Sequence, residues 1–200
     1  MRIAVLGATG GVGRLLVRRA LDRGLQVTAV ARDPRAVAAH DGLIVAPGDV
    51  HDPGSIARAV EGSEVLLSGL GGPPGILVAG ARAAVKSGVP RVIWLGAFGT
   101  GRTAAEVSGL TRAVLGLALR RELPDKVAAD DTVLAAGFTV FHAGRLTNGP
   151  AAAGRTVAPS EVPRRLFPAA VSRATVAAAM VDEAVDPRFP GRIAVPGGAE

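Results

Sequence analysis

Apolar residues gather in short strand-like runs at residues 3–6, 26–30, 43–46, 65–67, 92–95 and 139–141, with a closing run at 192–195. These are continuous stretches rich in Val, Ile and Leu rather than alternating ones, as expected of strands covered on both faces. Between them the apolar positions take helical spacing, at residues 12–23, 35–39, 55–61, 76–87, across a long region 104–136, and at 173–184. Strands alternating with helices predict an α/β domain built on a parallel sheet.

Local punctuation supports that division. Asp52-Pro53 opens the third helix, Gly24, Gly62, Gly88 and Gly137 each follow a helical stretch, and Pro124 divides the long region in two. The tract 147–165, rich in Ala, Gly and Pro, reads as a mobile loop. With no internal repeat and 200 residues, 48% of them apolar, the chain is expected to form one domain over 1–200. Segments 96–126 and 142–170 would form its substrate side.

The first strand runs directly into Gly7-Ala8-Thr9-Gly10-Gly11-Val12-Gly13 and then into a helix. Glycines at 7, 10 and 13 allow a tight turn, close approach of backbone to a pyrophosphate, and packing of helix on strand. The helix N-terminus offers N–H groups and a positive dipole end to the anion. The spacing is G-x-x-G-x-x-G, and Thr9, Gly11 and Val12 fall within the same turn. This is the pattern of a dinucleotide site.

The second strand ends Ala31-Arg32-Asp33-Pro34-Arg35, where such a site reads the 2′ position of the adenosine ribose. A carboxylate there accepts from a 2′-OH, whereas an arginine meets a 2′-phosphate, so Arg32, assisted by Arg35, points to NADP(H). Asp33 is free to turn into its own loop before Pro34. Asp49 and Val50, after the third strand, are placed for the adenine amino group and ring, or simply for a turn at the strand end. Ser68, Gly69, Leu70 and Gly71, after the fourth strand, let backbone approach ribose and phosphate. Leu95, Gly96 and Ala97 close the fifth strand on the nicotinamide side.

Composition narrows the partners. The net charge is +6, but the arginines are dispersed, the lysines are Lys86 and Lys126, and aromatics are 3% of the chain, which disfavours a nucleic-acid module. No apolar run reaches the ~20 residues of a membrane span, the first strand begins without a signal-peptide pattern, and cysteine is absent. A cytoplasmic protein acting on a small molecule is expected. His40 and His51 lie in loops on the adenosine side and form no metal site with a third ligand.

Taken in order, Gly7–Gly13, Ala31-Arg32-Asp33, Gly48-Asp49-Val50, Ser68–Gly71, Leu123-Pro124-Asp125-Lys126 with Asp130, Ala136-Gly137-Phe138-Thr139-Val140 and Leu146-Thr147-Asn148-Gly149-Pro150 carry a resemblance. Over essentially its whole length the chain resembles the short-chain dehydrogenase/reductase superfamily, in its atypical NAD(P)H-binding, NmrA-like and flavin/biliverdin-reductase-like branch. The resemblance implies a Rossmann-type doubly wound parallel sheet with NADP(H) as cofactor.

It also exposes a departure. Typical reductases of the superfamily use a tyrosine, a lysine and a serine, but this chain has no tyrosine. With Lys126 as the matching lysine, the tyrosine position is Glu122, and Gly96 and Ala97 stand where relatives carry serines. The resemblance gives Lys126 the ribose hydroxyls of the nicotinamide. His142 stands where many relatives have an Arg-Pro pair, so it is expected near the nicotinamide as an optional proton donor, or else as a packed, hydrogen-bonded residue. Phe98 and Trp94 follow the same approach, with Trp94 equally suited to the core. Three readings remain open: an NADPH-dependent reductase of a conjugated or aromatic acceptor, a non-catalytic NADP(H)-sensing regulator, and a non-redox enzyme reusing the fold.

Overall fold

A computed structural model describes residues 1–163 and 168–197. The elements follow the order β1 (Arg2–Leu6), α1 (Gly13–Asp22), β2 (Gln26–Ala31), β3 (Leu43–Pro47), α2 (Pro53–Ala59), β4 (Val65–Ser68), α3 (Ile76–Lys86), β5 (Arg91–Ala97), α4 (Gly109–Ala118), α5 (Leu123–Ala135), β6 (Thr139–Ala143), β7 (Leu146–Thr147), β8 (Thr156–Val157), β9 (Val171–Ser172), α6 (Arg173–Val185) and β10 (Ile193–Pro196). Among the described residues, eight strands form one sheet in the order β3-β2-β1-β4-β5-β6-β10-β8, parallel except for β8. The apolar runs predict its parallel strands, and it is the Rossmann-type sheet that the resemblance implies.

Side-chain alternation along each strand divides the core into two layers. Ile3 and Val5 of β1 pack with Leu16, Val17, Val176 and Met180 under α1 and α6. Ala4 and Leu6, their neighbours in sequence, face the other way, into a layer with Ile56, Leu77, Trp94 and Ala129 under α2, α3 and α5. Trp94 is therefore core. Strands β2 and β4 flank β1 on opposite sides, so the chain reverses its winding direction at β1, opening a crevice beyond the carboxyl ends of β1 and β4.

The structure departs from two sequence expectations and bears out a third. In place of a helix at 35–39 there is a short 3-10 turn, Pro34–Ala36, which ends where Val37 becomes extended. As expected, the long region divides into two helices, α4 and α5, and Pro124 stands near the first position of α5, where its missing N–H is harmless. The tract 147–165 contributes β8 and a 3-10 turn at Pro159–Glu161, and β7 pairs with β9 in a second small sheet. Arg164 and Arg165 lie outside the described residues. No helix among the described residues is long and apolar enough to cross a membrane.

Candidate functional site

The turn between β1 and α1 is held by backbone contact. Gly7 has φ +79°, a conformation that favours glycine, and its carbonyl accepts the Gly10 N–H at 2.9 Å. A Cβ on Gly13 would stand within 2.9 Å of Ala8 Cα and closer still to the Gly7 carbonyl, so Gly13 does not face a ligand but lets α1 sit on the turn. A Cβ on Gly10 would be 3.2 Å from the Gly7 carbonyl, tight but far less severe. No side chain caps α1 at Val12 and its first turn contains no carboxylate, which leaves this positive helix end open to an anion. A dinucleotide fits here.

Two connected cavities spread from the turn. The smaller, about 330 Å³, is bordered by Gly7, Thr9, Gly10, Arg32, Asp49, Val50, Gly69, Leu70 and Gly71. The larger, about 860 Å³, shares Gly10, Gly69, Leu70 and Gly71 with it and continues past Gly11, Val12, Leu95, Gly96, Ala97 and Lys126. One elongated cleft thus joins the expected adenosine and nicotinamide sides. Leu115 and Leu119 of the α4 segment, with Phe98, wall the far end.

On the adenosine side, Asp33 accepts from Arg35 Nε at 3.0 Å and from the Arg35 backbone N–H at 3.1 Å. The Arg35 side chain, and secondarily that N–H, hold the exposed Asp33 carboxyl below its usual range. Arg35 therefore faces Asp33 rather than the cleft, and the expectation that it assists is revised: Arg32 alone of the two borders the cavity. Asp49 Oδ1 accepts the His51 N–H at 2.9 Å, which steadies the loop, while the residue also lines the adenosine cavity. Ser68 is fully buried and its Oγ accepts the Leu70 N–H at 3.4 Å, so it shapes the Gly69–Gly71 turn from beneath instead of meeting a ligand.

On the other side, Lys126 reaches the cleft because of its neighbour. Asp125 Oδ2 and Oδ1 accept the Leu77 and Val78 N–H groups, each at 3.1 Å, and so cap α3 from α5. Gly75, the residue preceding α3, has no side chain to do this. The link docks the start of α5 on α3 and fixes Lys126 one residue beyond it.

His142 takes the packed alternative. It is 1% exposed, its Nε2 lies 3.1 Å from Asp130 Oδ2, and its Nδ1 lies 2.8 Å from Thr103 Oγ1. A carboxylate only accepts, so Nε2–H donates to Asp130, while Nδ1 hydrogen-bonds to Thr103 Oγ1, whose hydroxyl also lies 3.1 Å from the Thr100 carbonyl. Both ring nitrogens are spent, and His142 is not among the described residues lining the cleft. The expectation of a proton donor there gives way to a buried strut. Gly96, paired with His142 across β5 and β6, is glycine for the same reason: a Cβ would lie 2.7 Å from Asp130 and 2.8 Å from His142.

The sequence reading missed Arg145 and Arg173, which also border the larger cavity. Ser172, whose Oγ accepts the Thr175 N–H, marks Arg173 as the first residue of a helix, but nothing local reveals what that residue faces.

A model of the NAD(P)H-binding family matches residues 7–187. Among curated proteins, "Sterol demethylase protein B" of Methylococcus capsulatus is 50% identical over 68 residues, covering 33% of this chain and 21% of that protein. "Photosystem II assembly factor Ycf39" of Cyanophora paradoxa is 41% identical over 69 residues, covering 34% and 22%. The matches thus span about a fifth of the length of these relatives. Among solved structures, the anaerobillin reductase ChuY of Escherichia coli O157:H7 is 25% identical with a TM-score of 0.77, over 98% of this chain and 96% of that one. A short-chain dehydrogenase/reductase of Veillonella parvula in complex with NADP is 20% identical with a TM-score of 0.78, over 97% and 93%, a likeness of fold.

Proposed function

Because the chain belongs to the NAD(P)H-binding family, we propose that it is an NADPH-dependent reductase of a small conjugated or aromatic acceptor, flavin- or quinone-like, working without a serine–tyrosine pair. One observation carries this reading: among the described residues lining the 860 Å³ cavity there is no hydroxyl, carboxylate or imidazole side chain. Its polar side chains are Lys126, Arg145 and Arg173, and the rest are glycine, proline and apolar residues.

NADPH, when bound, supplies the hydride. The glycine turn and the open end of α1 receive its pyrophosphate, Arg32 pairs with its 2′-phosphate, and Lys126 donates to the nicotinamide ribose hydroxyls. Leu115, Leu119 and Phe98 flank an aromatic ring and limit water around it. Such acceptors spread the incoming negative charge over a ring system and take their proton from solvent, so no tuned acid is required of the chain.

Loss of NADPH absorbance with a panel of flavins and quinones tests the proposal. Turnover supports it. Tight NADPH binding with no oxidation by any acceptor would favour the sensing reading instead.

A further inference from the structure

Arg173 lies across the glycine turn from the far side of the cleft. A Cβ on Gly11 would stand 3.2 Å from Arg173 Nε and 3.3 Å from its Cδ, so the guanidinium stem passes directly over the turn's backbone. The fold places it there through β7 and β9: Thr147 is in register with Ser172, which sets the next residues, Asn148 and Arg173, side by side. Arg173 Nη1 then donates to Asn148 Oδ1 at 2.8 Å. Asn148 is neutral, and among the described ion pairs none includes Arg173. A cation is thus held over the glycine turn with no ion-pair partner among the described residues.

Resting on the dinucleotide reading, we propose that Arg173 is the charged second half of the pyrophosphate site. The α1 N-terminus and glycine turn would hold the diphosphate from one side, and the planar guanidinium, steered by Asn148, would close on it from the other. Arginine suits this role because its fork presents paired donors to phosphate oxygens. A side chain at Gly11 would need the Arg173 side chain to give way by only a few tenths of an ångström.

The two phosphate contacts should separate experimentally. The 2′-phosphate exists only in NADPH, whereas both dinucleotides carry the pyrophosphate. Calorimetry with NADPH and NADH should therefore show Arg173→Gln weakening both by a similar factor, about ten- to a hundredfold, leaving their ratio unchanged. Glutamine keeps much of the stem over Gly11 and guards against simple collapse. Arg173→Lys should recover part of the affinity, since it keeps the charge but not the fork. Adenosine 2′-monophosphate, which has no pyrophosphate, should bind wild type and Arg173→Gln alike. If both dinucleotides bind Arg173→Gln as tightly as wild type, or if the loss extends equally to adenosine 2′-monophosphate, the proposal is overturned. Failure of the wild-type protein to bind either dinucleotide would instead sink the cofactor reading beneath it.

Discussion

Asp130 Oδ2 and His142 Nε2 stand 3.1 Å apart in the closed core beneath Gly96, with 5% of Asp130 and 1% of His142 exposed. Asp130 Oδ1 has no partner, so the histidine is the described hydrogen-bond partner of a buried carboxylate. Replacing His142 with Ala would strand that charge, a loss of about 3–5 kcal/mol. In a chain of this size the melting point should fall by roughly ten degrees. Asp130→Ala added to His142→Ala should cost less than the sum of the two single changes, because the stranded charge goes with it. A His142→Ala protein that melts normally yet turns over tenfold more slowly would restore the imidazole to the chemistry.

Much of the cleft was legible because its determinants are local. Gly7 to Gly13 lie in one turn, and Arg32 follows its strand directly. What escaped the sequence depends on distant partners. Asp125, which in sequence is equally a partner for Lys126 or a solvated residue, meets the Leu77 and Val78 N–H groups only when α5 docks on α3. Arg173 meets Gly11 only once β7 and β9 have paired. His142 sits at the end of a strand pointing toward the chemistry, and the burial that removes it from a ligand comes from Thr103 and Asp130, on segments the pattern could not align with it.

The Asp33–Arg35 pair sharpens the expectation for cofactor choice. With Arg35 turned onto Asp33, Arg32 is the one of the two that borders the cavity, and in the proposed NADPH complex the 2′-phosphate contact would fall to it. A charge-assisted contact of this kind is worth roughly 1.5–3 kcal/mol, so NADPH should bind about ten- to a hundredfold more tightly than NADH. Arg32→Ala should erase that ratio, and Arg35→Ala should leave most of it. Equal dissociation constants for the two cofactors in the wild-type protein would refute the assignment.

Gly13 and Gly10 should differ in tolerance, although the sequence treats them alike. At Gly13 an added methyl overlaps the Gly7 carbonyl, which is backbone and cannot rotate away. Gly13→Ala should therefore abolish the rise in melting temperature given by NADPH, whereas Gly10→Ala, meeting the same oxygen at 3.2 Å, should retain part of it. Equal behaviour of the two variants would mean that α1 can shift away from the turn.

Removing the Asp125 carboxylate should be felt both in stability and in the cleft. Asp125→Ala leaves the first N–H groups of α3 without their cap, a loss of about 1–2 kcal/mol by analogy with helix N-caps. Because Asp125 anchors the turn carrying Lys126, NADPH affinity should fall by a few-fold as well. Asp125→Asn, which keeps one accepting oxygen, should lie between. A destabilised Asp125→Ala protein with unchanged NADPH affinity would detach Lys126 from the cofactor.

The proposed choice of acceptor rests on what the described lining of the cavity lacks. Ketone reduction concentrates negative charge on one oxygen in the transition state, and a missing oxyanion donor typically costs about 10²–10³ in rate. Here Gly96 and Ala97 bring no hydroxyl, the chain has no tyrosine, and His142 of β6 is buried. Lys126 is a cation within reach, but a lysine holding ribose hydroxyls is spent on binding. Simple aldehydes and ketones should therefore be reduced at least about a hundredfold more slowly than riboflavin or a benzoquinone, compared as kcat/KM at saturating NADPH. Lys126→Met should raise the NADPH requirement while leaving kcat for the flavin within a few-fold. Efficient reduction of a plain ketone, abolished by Lys126→Met, would show instead that the lysine serves as the missing acid.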